Sequence, residues 1–433
     1  MESIHVALIG IVGMFVLMAI GMPIAFAMLL AGVVGTAYLL SMSAATHLLA
    51  TTVWENFASY SLSVIPLFVL MGQIAFRSGV TERLYSAAYT WFGRAPGGLA
   101  SSTIVASAGF STICGSNAAA SATMGMIALP EMKRYGYDPA LSAGTVALGG
   151  TLGAIIPPSV VMIVIGVQTE QSILALFLAG IIPGLVLTLL FIATIAVICL
   201  RNPAAAPKAP PTTTRQKWLA ILDVLETLVL FAFVIGGLYA GLFTPTEAGA
   251  AGAFGALIIG VARRSLSIKA FITALMETLR ISAMVVLLIT AAVVFGRFLT
   301  VSRMPVELAN WTASLPVSPD VILLAILVIY LIGGALIDAL GFLVVTLPIF
   351  FPLSQALGFD PIWFTMLLTI VTAIGSVSPP VGVNVFVVNA LAPDIKLQTI
   401  FRGVAYFFFA YALCIAMIWF IPGTVLWLPE LMR

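Results

Sequence analysis

The chain is 433 residues long, 62% hydrophobic and only 8% charged, with a net charge of +2 and a mean hydropathy of +1.19. Soluble domains carry about 25% charged residues, so this composition excludes a soluble globular protein and leaves no room for a large soluble domain. The few basic residues flank apolar runs and form no patch or stripe, which excludes nucleic-acid binding, and Cys114, Cys199 and Cys414 are spaced for neither a disulfide framework nor a zinc site.

Crossing a hydrocarbon core takes roughly 20 helical residues. Glu2 precedes the first apolar run with no Lys or Arg, so the basic region of a cleaved signal peptide is missing and the first helix is expected to stay. Apolar runs between turn signals predict spans near 4–20, 23–41 and 61–77. Residues 97–130 are apolar but interrupted at Cys114, Gly115, Ser116 and Asn117. Each side is then only about half the length a span needs, which predicts a re-entrant hairpin. Spans near 139–168 and 173–200 complete a first half, 1–200.

Residues 201–218 are basic and rich in Pro, Ala and Thr, without apolar periodicity, and read as a flexible cytoplasmic linker. The second half, 219–433, repeats the plan, with spans near 219–241, 246–262, 270–296, 361–390 and 397–427. Its split apolar segment, 320–351, breaks between Gly333 and Gly341. The expected fold is an all-α polytopic membrane protein made of an inverted repeat. Each half has five spans and one re-entrant helical hairpin, with broken helices at 139–168 and 361–390 where Pro-Pro motifs fall. An odd number of spans per half is what turns the second half over. The stretch 136–139 (GYDP) matches 358–361 (GFDP), and 156–159 (IPPS) matches 378–381 (SPPV), both at an offset of 222 residues.

With the N-terminus outside, one side collects fourteen of the eighteen basic residues, from Arg77 to Arg402, and the other only Arg297, Arg303 and Arg433. Cytoplasmic loops carry the Lys and Arg excess, so both termini are expected to be periplasmic. Arg280 falls inside a span, where its side chain can snorkel. Tryptophans 54, 91, 218, 311, 363 and 427 fall near span ends, as interfacial anchors against membrane lipid do.

Pro157, Pro158, Pro379 and Pro380 lack N–H donors, so carbonyls upstream of each pair lose their helical partners. Within lipid an unsatisfied backbone group costs several kcal/mol. One such break alone reads as a kink in a membrane helix. Two matched breaks, each paired with a split hairpin, mark a transporter binding site. Orphan carbonyls with hydroxyl and amide oxygens suit a hard monovalent cation, and sodium is the natural coupling ion. A first sodium site is expected from Gly115, Ser116 and Asn117 with the break from Gly153 through Pro157 and Pro158 to Ser159. A second is expected from Asp338 with Gly375, Ser376, Ser378, Pro379 and Pro380. Half-helix N-termini favour an anionic group such as a carboxylate. Substrate is expected between the hairpin tips, at Ser116, Asn117 and Asp338, together with Asn384.

Asp338 also reads as the N-cap of the half-helix that follows it, a role compatible with a site. Glu247, Asp138 and Asp360 read as capping or turn residues. No Walker A run, HExxH pair or GxSxG elbow occurs, so neither an enzyme nor direct ATP drive is expected, and no cofactor beyond sodium. An intramembrane aspartyl protease using Asp138 and Asp338 is disfavoured by the loop position of Asp138. A stand-alone sodium- or proton-coupled anion symporter remains the rival reading.

Several motifs together resemble the large membrane subunit of tripartite ATP-independent periplasmic transporters, the DctM type. They are Phe243–Ala248 (FTPTEA), Gly115–Gly125 (GSNAAASATMG), Arg134–Thr145 (RYGYDPALSAGT), Gly149–Ser159 (GGTLGAIIPPS) and Ile374–Asn384 (IGSVSPPVGVN). The resemblance implies sodium-driven uptake of an organic acid, such as a C4-dicarboxylate, sialic acid or sugar acid, across a bacterial inner membrane by an elevator motion. It also implies two partners: a soluble periplasmic binding protein of the DctP type and a small four-helix membrane subunit of the DctQ type. Some members carry Asp in the first hairpin where this chain has Ala120, and many carry Thr where it has Ser378, so chemistry that needs that Asp does not transfer.

Overall fold

In lipid the main chain finds no water to bond, so each segment must satisfy its own N–H and C=O groups, and helices do so. A computed structural model describes residues 3–114, 116–207 and 212–431, and apart from two short 3-10 turns its regular structure is α-helical throughout. The first ten α-helices fall into two sets. The first is α1 (Ser3–Ala19), α2 (Ile24–Leu39), α3 (Met42–Phe57), α4 (Val64–Arg77) and α5 (Val80–Phe92). The second is α6 (Gly98–Cys114), α7 (Asn117–Arg134), α8 (Pro139–Ile155), α9 (Val160–Gln168) and α10 (Ile173–Arg201). After the connector come α11 (Thr214–Tyr239), α12 (Pro245–Ala262), α13 (Ile268–Val301) and α14 (Met304–Ser314). The chain ends with α15 (Pro319–Leu336), α16 (Ala339–Ala356), α17 (Pro361–Gly375), α18 (Val383–Leu391), α19 (Leu397–Ala405), α20 (Phe408–Phe420) and α21 (Gly423–Glu430).

Among the described residues eight helical segments are long and apolar enough to cross a membrane, or nine if α19 and α20, bent by 42° at their junction, form one. The protein is therefore an all-α polytopic membrane protein. The sequence reading missed α3, α5 and α14. Each mixes polar residues into a short helix with few buried positions, so none shows as a long apolar run. The expected last span, 397–427, is three helices in place of one.

Both split segments fold back as helical hairpins. Leu99 N–H donates to the Tyr137 hydroxyl at 3.1 Å, so the start of α6 lies beside the end of α7. In the second, Thr346 donates to the Tyr330 hydroxyl at 2.7 Å across α15 and α16, and Tyr330 packs edge-on against Phe342. The arms are longer than expected: 17 and 18 residues in the first hairpin and 18 each in the second. Pro130, Pro348 and Pro352 do not end their helices, which run on to Arg134 in α7 and to Ala356 in α16.

The broken helices run through the core. Every residue of α8 from Ala140 to Ile155 is buried, as is all of α17 except Pro361 and Ile374. Both start with a matching cap: Asp138 accepts from Leu141 N–H at 3.0 Å, and Asp360 from Ile362 and Trp363 N–H at 2.9 and 3.0 Å. The 136–139 and 358–361 motifs thus start their helices with the same Asp cap, and both Pro-Pro peptide bonds, Pro157–Pro158 and Pro379–Pro380, are cis. Thr244 and Glu247 form a reciprocal capping box at the start of α12, so the acid has a structural role.

Two expectations are corrected here. Trp363 is buried and donates to the Ile418 carbonyl at 2.8 Å, so it belongs to the core and is no interfacial anchor. The connector is tethered where it is described. Ala205 and Ala206 are buried, the Ala205 carbonyl accepts from Asp138 N–H at 2.8 Å, and Thr212 donates to the Thr90 carbonyl at 3.0 Å. A Thr213–Gln216 capping box starts α11 five residues before the expected span.

Candidate functional site

The first hairpin turns at Ser116, which has extended backbone angles and caps α7 without a side-chain hydrogen bond. This tip presses on α8 through its glycines. A Cβ at Gly153 would lie 3.2 Å from both the carbonyl carbon and the oxygen of Ser116, and one at Gly150 would lie 2.7 Å from the Asn117 carbonyl oxygen. Only glycine lets the tip sit this close to the break.

Proline chemistry explains the rest of the first break. Pro157 and Pro158 have no N–H, which orphans the carbonyls of Gly153 and Ala154. The Ser159 hydroxyl donates to Ala154 at 2.9 Å. Among the described residues no hydrogen bond reaches the Gly153 carbonyl. At the hairpin tip, the buried side-chain oxygen Oδ1 of Asn117 also has no donor. Two acceptors without donors therefore stand where tip and break meet. Gly115 lies outside the described residues.

The second break closes on itself. The Gly375 carbonyl accepts from Ser378 N–H at 2.8 Å and the Ser376 carbonyl from Asn384 N–H at 3.1 Å. The Ser376 and Ser378 hydroxyls donate to Ala373 and Ile374 at 2.7 and 2.8 Å. Val381 and Gly382 N–H both donate to Ala335, tying the break to the descending arm α15. Pro379 and Pro380 are exposed, whereas Pro157 and Pro158 are buried.

Asp338 caps α16 through Oδ2, which accepts from Leu340 and Gly341 N–H at 3.2 and 3.4 Å. The expected N-cap is thus present, and Asp338 also lines a cavity of about 220 Å³ together with Ser116 and Asn117 of the other hairpin. No hydrogen bond or ion pair joins Asp338 to Gly375, Ser376, Ser378, Pro379 or Pro380 among the described residues, so the expected second cluster is divided between two places. Asn384 also stands apart: it is 1% exposed, its amide donates to the Ala147 carbonyl of α8 at 3.4 Å, and it does not line the cavity.

Three helices begin at this cavity: α7 at Asn117, Ala118 and Ala119, α9 at Val160 and Val161, and α16 at Ala339 and Leu340. Neither α7 nor α9 has a side-chain cap, so their first N–H groups and positive dipole ends are free to meet an anion. The remaining wall comes from α4 (Val69, Gly72, Gln73) and α13 (Ile281, Met284, Val285). Gln73 was missed in the sequence. The signal was present as an amide inside the apolar span of α4, where a lone polar group needs a reason.

A family model described as "Tripartite ATP-independent periplasmic transporter, DctM component" matches residues 11–424. The chain is 34% identical over 386 residues to the C4-dicarboxylate TRAP transporter large permease protein DctM of Pseudomonas aeruginosa, covering 88% of this chain and 89% of that one. It is 32% identical over 425 residues to the sialic acid large permease SiaM of Vibrio cholerae, covering 98% of each. It is 31% identical over 410 residues to the 2,3-diketo-L-gulonate large permease YiaN of Escherichia coli, covering 94% and 95%. These relatives are permeases and not enzymes. Two solved transporters share the fold. Alcanivorax borkumensis YdaH aligns with a TM-score of 0.58 at 18% identity, covering 88% of this chain and 90% of that one. Neisseria gonorrhoeae MtrF aligns with a TM-score of 0.60 at 14% identity, covering 86% and 84%. From the motifs at the tips and breaks to the match over nearly its whole length, the chain belongs to the DctM family, the large permease component of tripartite ATP-independent periplasmic transporters.

Proposed function

We propose that this chain is the translocating subunit of a sodium-coupled importer of an organic acid, working in the bacterial inner membrane with a small membrane subunit and a periplasmic binding protein. The observation that carries the reading is the convergence of three helix N-termini on one cavity between the two hairpin tips. Such termini supply N–H donors and partial positive charge to a carboxylate without any cationic side chain. Sodium takes the join of the first tip and break, where the Gly153 carbonyl and Asn117 Oδ1 have no donors. Asp338 is placed to balance a further cation at the cavity edge. The cavity wall on α4 and α13 lies outside both hairpins and both broken helices, which supports an elevator in which those elements carry the cargo past α4 and α13. Inverted halves with both termini periplasmic fit the distribution of basic residues.

Reconstitution into proteoliposomes tests this. Acid uptake is expected to need an inward sodium gradient and the cognate binding protein. Ser116→Ala and Asn117→Ala are expected to raise the sodium concentration for half-activation while the protein stays folded. Unchanged sodium activation in both variants rejects the first ion site, and uptake of free acid without the binding protein favours a stand-alone symporter.

A further inference from the structure

We infer, resting on the function just proposed, that the cargo is a small monocarboxylate with an apolar body and one uncharged hydrogen-bonding group, read by Gln73. The size and lining of the cavity lead there. At about 220 Å³ it lies below the 300–1,000 Å³ usual for pockets that enclose larger ligands. Among the described residues no Arg, Lys or His lines it; its one charged side chain is the acidic Asp338.

Asp338 answers the N-terminus of α16 with its own cap, which leaves the starts of α7 and α9 uncapped. Each terminus amounts to roughly half a positive charge, so two of them match one carboxylate. A second carboxylate would face Val69, Val160, Val161, Ile281, Met284 and Val285, where an unpaired charge is costly to desolvate. The same surface suits a branched hydrocarbon.

Gln73 supplies the remaining specificity. It stands on α4, outside the hairpins, and no protein group bonds its amide among the described residues. An amide both donates and accepts, so it recognises a carbonyl or hydroxyl without requiring charge. Arg77, one helical turn farther along α4, does not line the cavity.

The test uses the purified full-length chain in saturating sodium, with ligand-induced thermal stabilisation as readout. The probes are 2-oxo-4-methylpentanoate, 4-methylpentanoate, succinate and N-acetylneuraminate. The 2-oxo acid is expected to bind about tenfold tighter than succinate, and the much larger N-acetylneuraminate is expected to give no shift. Gln73→Met, close in shape, is expected to weaken the 2-oxo acid about tenfold and leave 4-methylpentanoate unchanged. Succinate binding as tightly as the 2-oxo acid, Gln73→Met weakening both monocarboxylates alike, or no acid giving a shift overturns the inference. Sodium-driven uptake, measured separately in proteoliposomes, still decides the proposed function in each of these cases.

Discussion

The Gln168 side chain at the end of α9 donates to the main-chain carbonyl of Val344 in α16, at 2.8 Å, 176 residues away in the chain. The helical donor for that carbonyl would be the N–H of residue 348, and residue 348 is a proline. The first broken helix thus supplies a hydrogen bond that the second hairpin lacks, joining the two halves at a point where neither is complete.

Replacing Gln168 with Leu strands a buried carbonyl and is expected to cost about 1–3 kcal/mol, seen as a lower melting temperature in detergent. Adding Pro348→Ala restores the internal donor, so the double variant should recover most of the loss. Simple additivity of the two changes would show that the bond does not have this role.

Asp338 separates its two roles by substitution. Asn caps a helix about as well as Asp, so Asp338→Asn should keep the melting temperature and lose sodium activation. Asp338→Ala should lose both, with a cap cost of about 1 kcal/mol. Normal sodium activation in Asp338→Asn would reduce this residue to a cap.

Gly153→Ala places a methyl group 3.2 Å from the Ser116 carbonyl. Backbone cannot rotate away as a side chain can, so the first tip must shift, at about 1–3 kcal/mol. Half-activation by sodium should rise about tenfold or more, while Gly136→Ala, at a turn distant from the tip, should leave the sodium response unchanged.

Lys133 and Asp394 pair at 2.6 Å between α7 and the α18–α19 turn, both well exposed. The ammonium holds the Asp394 carboxyl below the usual carboxylate range. A depressed folded value means that the contribution is complete above the ordinary Asp pKa of about 3.9 and is lost as pH falls through the lowered value. The small melting difference between the wild type and Asp394→Asn should therefore be constant near neutrality and vanish in acid. High salt should also shrink it.

Much of this was legible in the residues. Proline doublets and the polar interruptions at Ser116 and Asp338 are local events that no packing can remove, so tips, breaks and the Asp138 and Asp360 caps were readable. What escaped depends on packing. The α3, α5 and α14 helices are too short and mixed to register as apolar runs, and Trp363 sits near a span end in sequence but inside the core in space. Asn384 carried the right chemistry but turns toward Ala147 because the second break, seven residues from Ser376 to Gly382, wraps back onto its own carbonyls. Gln73 gained meaning only when α4 was seen to border both tips.

Because α7 and α9 start uncapped at the cavity, the groups offered to a negative cargo are main-chain amides, which every residue type except proline carries. Substitution by any residue other than proline leaves them in place and only reshapes what surrounds them. Divergence toward new cargoes within such a scaffold is thus expected to run through positions such as Gln73 and Met284, with anion selectivity inherited unchanged.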